Sequence, residues 1–179
     1  MAQSLAAMRK ALPIIARHEG VWEGIYRRYD AQGQSIGMHR SRVVMRLRPE
    51  AANDEFYDQT NIYYHPDGRT EVIQTKGVFD GERLRFYSDR VDGWSKDDIT
   101  DPENRSCMLF MIFKQDIGWY TAGVQVYELI NISDCDRYRT RMTQHLKDGR
   151  TLTRTLIDET RRTRDWREHA DWALQPVTW

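Results

Sequence analysis

The sequence predicts an all-β protein: an up-and-down antiparallel β-barrel of about 8–10 strands, with a short N-terminal helix and a C-terminal helical tail. Three observations lead there. From Val21 to about residue 160 the side chains follow a period of two, the period of a strand. Tight-turn compositions punctuate that stretch at 30–33, 65–68, 79–81, 133–136 and 147–149, each with Gly or Asp able to take a positive φ. Connections this short make neighbouring strands antiparallel, and nine or ten strands in 179 residues would expose sheet edges unless the sheet closes on itself.

The elements follow in order. Leu5, Met8, Leu12 and Ile15 recur at helical spacing, so residues 3–17 form an amphipathic helix that Pro13 bends or restarts. His18-Glu19-Gly20 ends it. Strands are expected at 21–29, 34–48, 55–64, 69–78, 82–90, 106–114, 124–132, 137–146 and 150–158. Residues 91–105, with Asp92, Asp97, Asp98, Asp101 and Pro102, read as a long loop or a short edge strand. Residues 115–123, with Trp119 and Tyr120 between Gly118 and Gly123, read as a loop at the barrel mouth. Trp166, Ala170 and Ala173 give the tail, 161–179, a helical spacing outside the barrel. The whole chain, 1–179, is thus expected to be one domain: helix 1–20, barrel 21–160 and tail 161–179.

Composition narrows the function. The 27 basic and 27 acidic side chains cancel, which argues against nucleic acid as a partner, since phosphate binding needs a basic surplus on one face. The basic run Arg161–Arg167 is interleaved with Asp165 and followed by Glu168 and Asp171, and reads as a solvated helix with internal ion pairs. No apolar run is long enough to span a bilayer, so no membrane partner is expected. Residues 1–20 lack the apolar core of an export signal, and Cys107 and Cys135 lie in no metal or redox motif. Free thiols and a cytoplasmic location are therefore expected.

The segment His18-Glu19-Gly20-Val21-Trp22-Glu23-Gly24-Ile25-Tyr26 places a Gly-x-Trp at the start of the first strand, after a short helix. This resembles the opening motif of lipocalins and other calycins. With Tyr29-Asp30, His39-Arg40-Ser41-Arg42, Tyr63 to Arg69 and Arg150 to Glu159, the chain looks like a lipocalin-like family of unknown function over most of residues 18–160. The resemblance implies an antiparallel calycin barrel around a small-molecule cavity, without an agreed reaction. Lipocalins typically pair that Trp with an Arg of the last strand, which makes Arg154 the expected partner of Trp22, in a cation–π plug of the barrel floor.

Alternation then assigns the lumen. Trp22, Gly24, Tyr26 and Arg28 share one face, as do His39, Ser41, Val43, Met45 and Leu47. The opposite face of that second strand, Arg40, Arg42, Arg46 and Arg48 with Val44, is assigned outside on the cost of desolvating clustered guanidiniums. In 55–64 neither face is apolar, and the Tyr57/Asn61 face is favoured as interior. Leu84, Phe86 and Ser88 point inward. The strand 106–114 is apolar on both faces and needs cover outside, which the N-terminal helix, the tail or a second subunit in a homodimer could supply. In 124–132 the pair Tyr127 and Leu129 competes with Val126, Glu128 and Ile130, and the pattern does not choose. In 137–146 the arginines 137, 139 and 141 are assigned outside, leaving Tyr138, Met142 and Gln144 inside.

The expected ligand-binding residues are thus Tyr26, Tyr127, Gln144, Met45, Phe86 and Met142, and the catalytic candidates His39, Tyr57 and Asn61. Aromatic walls with a few orienting polar groups suit a hydrophobic, partly oxygenated aromatic or polycyclic molecule. No metal is expected, because the histidines at 18, 39, 65, 145 and 169 show no ligand spacing. Nitrobindin-like calycins hold haem through a late histidine, for which His169 is the candidate, although it falls in the tail. The motifs of the phenolic acid decarboxylases, which are also calycins, are absent, as are nucleotide-binding and serine-hydrolase motifs. No cofactor is expected. Three functions remain: a cofactor-independent acid–base enzyme (lyase, dehydratase, isomerase or cyclase), a non-catalytic carrier or sensor, and a haem- or bilin-binding protein.

Overall fold

The Ser4 side chain accepts the backbone N–H of Ala7 at 3.1 Å and so caps helix α1, Leu5–Ala11. Pro13 supplies no N–H to continue that ladder, and the chain restarts as α2, Pro13–Arg17. Ten strands follow: β1 Gly20–Asp30, β2 Ser35–Leu47, β3 Tyr57–Tyr64, β4 Thr70–Phe79, β5 Leu84–Tyr87, β6 Val91–Asp97, β7 Ser106–Phe113, β8 Gln125–Ile132, β9 Tyr138–Lys147 and β10 Arg150–Thr163. The computed structural model describes residues 4–49, 55–87, 90–98, 100–103, 105–116 and 120–167.

Each strand pairs antiparallel with the next, and β1 also pairs with β10, so the sheet closes into an up-and-down barrel with no free edge. Gly24 makes the closing seam tight. A Cβ there would fall 2.4 Å from both Asp158 O and Glu159 Cγ, so only glycine lets β10 cross β1 at this point.

The floor of the barrel lies where β1 begins and β10 ends. There the apolar face of the helices, Met8, Leu12, Ile14 and Ile15, packs against Trp22, Val43, Leu47 and Phe86. The carboxylate of Asp97 fixes α2 in place by accepting the N–H of Ile14 at 2.7 Å and of Ile15 at 3.0 Å. Burial raises the Asp97 carboxyl to about 6. The mouth, at the other end, is framed by the turns after β1, β3 and β9 and the loop between β7 and β8.

Several expectations need correction. Residues 91–97 are not a loop or an edge but a full barrel strand, paired with β5 and β7. Its Asp and Gly content disguised it: Asp92 faces out to Lys114 at 2.9 Å, Asp97 caps α2, and a Cβ on Gly93 would sit 2.3 Å from Phe110 O. β10 runs to Thr163, so Arg161 and Arg162 belong to a strand rather than a helical tail. Trp22, fully buried, is sandwiched by Arg139 and Arg161, each 4.4 Å from its ring, and not by Arg154, whose guanidinium reaches Ala31 O at the opposite end. Ser88, His169 and most of the tail fall outside the described residues.

The inward faces of β1, β2, β3 and β5 are as the alternation predicts. That of β9 is the reverse, and β8, whose face the pattern left open, turns the Val126 side inward. Val126, Glu128 and Ile130 face the lumen, as do Arg139, Arg141, Thr143 and His145. Tyr127, Tyr138 and Met142 stand outside with about half their surface exposed, and Gln144 lies on the same outer face, bonded to Thr151 at 2.7 Å. The physical reason is ion pairing: the desolvation cost of interior arginines is offset by Glu128 and Glu159 on the two flanking strands.

Candidate functional site

Above the helical floor the barrel encloses a cavity of about 670 Å³ that reaches the mouth. Of the residues expected from the sequence, Tyr26, His39, Met45, Tyr57, Asn61 and Phe86 line it, whereas Tyr127, Met142 and Gln144 do not.

The three catalytic candidates occupy one wall at different heights. His39 is opposite Tyr26, Asn61 opposite Val43, and Tyr57 opposite Leu47. His39 and Leu47 are separated by eight residues of extended strand, about 27 Å. Near the floor Tyr57 donates its hydroxyl to Gln59, whose amide donates to Asn61 Oδ1 at 2.8 Å, and its ring meets Phe86 at 5.5 Å. Near the mouth the His39 ring stacks on Tyr26 at 4.8 Å, Tyr63 meets both rings edge-on at 5.2 and 5.3 Å, and His65 lies 5.2 Å from His39. The structure therefore separates His39 from Tyr57 and Asn61.

The facing wall is ionic. Arg141 donates through Nε to Glu128 Oε1 at 2.8 Å and through Nη1 to Glu159 Oε1 at 3.4 Å. Arg139 donates through Nε to the other oxygen of Glu159, and Thr143 Oγ1 donates to Glu128 at 2.7 Å. Burial alone would raise the Glu159 carboxyl, but Arg139 and Arg141 outweigh it and hold it below the ordinary carboxylate range. Deeper, His18 places Nε2 3.6 Å from Cys107 Sγ and Nδ1 3.4 Å from Arg139. Burial pushes the His18 imidazole well down and the Cys107 thiol up.

At the mouth Tyr120 is stacked between Phe113 at 5.2 Å and His145 at 4.4 Å, and His145 Nδ1 meets Thr153 Oγ1 at 3.2 Å. Burial lowers His39 and His145 to about 4 each, with His65 and Arg28 adding to the shift at His39. It raises Tyr26 to about 12, and Tyr57 and Tyr63 move the same way for the same reason. At neutral pH the lumen therefore presents neutral His39 and His145 imidazoles and protonated Tyr26, Tyr57 and Tyr63 phenols beside the ion pairs of the facing wall. His39 Nε2, Ser41 Oγ and Arg139 Nη2 are buried polar atoms without a hydrogen-bond partner among the described residues.

Arg139, Arg141, Glu128 and Glu159 were missed in the sequence. The signal was there: arginines at 139 and 141 share a strand face with Thr143 and His145, while one Glu lies among Val126 and Ile130 and another beside Ile157. Acidic residues set at apolar-face positions of two neighbouring strands mark an interior cation between them.

No protein-family profile and no curated protein sequence matches the chain. Among solved structures it is similar to a protein of unknown function from the DUF3598 family of Nostoc punctiforme, with a TM-score of 0.50 and 16% identity over 82% of this chain and 48% of that one. The chain thus spans about half the length of that protein. It is also similar to the S-type phycobiliprotein lyase CPES from Guillardia theta, with a TM-score of 0.57 and 15% identity over 90% of this chain and 94% of that one. At these identities the likeness is one of barrel fold.

Proposed function

We propose that the barrel binds a flat, conjugated, partly oxygenated small molecule of the open-chain tetrapyrrole class, and that it holds and delivers this ligand. The observation that carries the reading is the lumen: about 670 Å³, with aromatic and imidazole rings on one wall and buried ion pairs on the other. Rings at the mouth offer stacking faces to a conjugated system, and His39 and Arg139, among the lining side chains, carry nitrogens without a hydrogen-bond partner among the described residues. The fold shared with a phycobiliprotein lyase supports the ligand class. Delivery is favoured over chemistry because the titratable groups rest in forms that exchange protons poorly at neutral pH: imidazoles lowered to about 4 and a phenol raised to about 12.

The test is a spectroscopic titration of the purified protein with biliverdin, and with haem for comparison. Biliverdin is expected to bind one-to-one with a shifted absorption band and a Kd on the order of micromolar. A Kd weaker than about 100 μM, or unaltered binding after Leu109→Trp fills the lumen, overturns the proposal. A haem complex with a Soret band at tighter affinity would replace the ligand class.

A second reading, acid–base lyase or isomerase chemistry, draws on one observation: His39 lines the lumen beside the Tyr26 ring, its Nε2 buried and without a partner among the described residues. Product formed from a bound substrate, and abolished by His39→Ala, would select it. Turnover that survives both His39→Ala and Tyr26→Phe would remove it.

A further inference from the structure

We infer that the base of the lumen binds a carboxylate against the Arg139 guanidinium, so that the ligand enters acid end first, a step that rests on reading the lumen as a ligand cavity. Arg139 lines the lumen, is only 4% exposed, and keeps Nη2 without a hydrogen-bond partner among the described residues. A buried cationic N–H left unpaired is costly, and an acceptor oxygen brought in by a ligand removes that cost.

The rest of this guanidinium is occupied. Its Nε donates to Glu159, and its plane lies 4.4 Å from the Trp22 ring. Its Nη1 lies 3.4 Å from His18 Nδ1. Arginine can only donate, so His18 Nδ1 accepts, and the neutral imidazole carries its proton on Nε2, 3.6 Å from Cys107 Sγ. Nη2 is the nitrogen left for a guest.

Charge at the base favours an anion. Three guanidiniums, Arg139, Arg141 and Arg161, stand against two carboxylates, Glu128 and Glu159. Among the described residues Arg161 forms no ion pair and donates to the Arg17 carbonyl. Burial and the charge of Arg164 pull it down to about 10, with Arg139 and Arg17 adding to the shift and Asp136 opposing it. The neighbouring acids are committed elsewhere: Asp97 accepts the N–H groups of Ile14 and Ile15, and Asp136 holds Arg17 and Arg164. His18 registers the positive field. After burial, Arg139, Arg161, Arg141 and Arg17 in turn push it down, so it stays uncharged among them. Three cations against two anions fit one further negative charge, which is a carboxylate rather than a dianionic phosphate.

The height of the site suits the ligand proposed above. Arg139 pairs with Glu159, and Glu159 with Gly24, two residues or about 7 Å of strand below Tyr26. An acid held there leaves the conjugated part of the same molecule level with the Tyr26, His39 and Tyr63 rings.

Two acid–ester pairs test the site by optical titration of the full chain at pH 7: biliverdin with its dimethyl ester, and cis-parinaric acid, a conjugated acid of another class, with its methyl ester. Each acid that binds should do so roughly 30-fold more tightly than its ester, the worth of a charged hydrogen bond. Arg139→Gln keeps a planar amide but no charge, and should bring the ratio within about threefold. The ratio separates recognition from packing, because a loosened barrel weakens acid and ester alike. If Arg139→Gln does not fold, the ratio in the unaltered protein decides. Equal affinity for acid and ester in both pairs overturns the inference, as does failure of both acids to bind, or a ratio that Arg139→Gln leaves intact. Biliverdin and its ester bound alike would remove the acid site and keep the tetrapyrrole reading. Parinaric acid preferred over its ester, with biliverdin not bound, would keep the acid site and remove that reading.

Discussion

The two walls of the lumen solve the problem of a polar interior differently. The wall of β1, β2 and β3 uses neutral groups: Tyr26, His39, Tyr57, Asn61 and Tyr63, joined by ring contacts and short side-chain hydrogen bonds. The wall of β8, β9 and β10 uses full charges, Glu128, Arg139, Arg141 and Glu159, paired chiefly with one another. Neutral groups tolerate the loss of a neighbour, whereas buried charges do not, so the ionic wall sets the stability of the fold and the neutral wall remains free to adapt to a ligand.

The largest test of this contrast is Glu159→Ala. It leaves Arg139 and Arg141 short of a counter-charge inside the barrel and should cost about 3–5 kcal/mol in denaturant unfolding, against about 0.5–1.5 kcal/mol for Asn61→Ala on the facing wall. Equal costs would dissolve the distinction. Restoring stability by Glu159→Leu together with Arg139→Met would sharpen it, since apolar pairs of similar volume replace buried ions without loss.

Acid should unlock the walls in sequence. His39 and His145 have folded-state values near 4, below the unfolded value of 6.5, so the stability they contribute is complete above 6.5 and is lost as pH falls toward 4. Glu159 is held below its ordinary range, so its contribution persists through that window and is lost only at lower pH. Asp97, raised to about 6, acts in the opposite sense: stability from this group increases as pH falls through 6. A falling melting midpoint between pH 6.5 and 4, flattened by His39→Gln with His145→Gln, is the expected result.

Smaller effects distinguish ligand from scaffold. Tyr26→Phe and His39→Ala should each weaken biliverdin binding about 10-fold, the worth of one hydrogen bond to the ligand. Smallest of all, Gln144→Ala, on the outer face, should change affinity by less than about twofold and stability by about 0.5 kcal/mol or less.

Most of the barrel is legible in the sequence because its turns are written in Gly and Asp and its strands in period two. Residues 91–97 escaped because a strand carrying Asp92, Gly93 and Asp97 has the composition of a loop. Only its partners, Lys114, the Phe110 backbone and the N-terminus of α2, explain those residues. On the neutral wall, alternation grouped the residues that share a face, but in 55–64, polar on both sides, it could only favour the Tyr57/Asn61 face. On the ionic wall, alternation was visible but its sign was not: assigning Arg139 and Arg141 outward follows from desolvation considered one residue at a time, and fails when the compensating glutamates lie on adjacent strands.

The seam between β1 and β10 also orders events in time. Trp22 meets Arg161, and Ile14 meets Asp97 across 83 residues, so a chain emerging from the ribosome can neither seal its base nor complete its ring until β10 has been made. Until then β1 carries an unsatisfied border, open to any strand that can pair with it before β10 arrives.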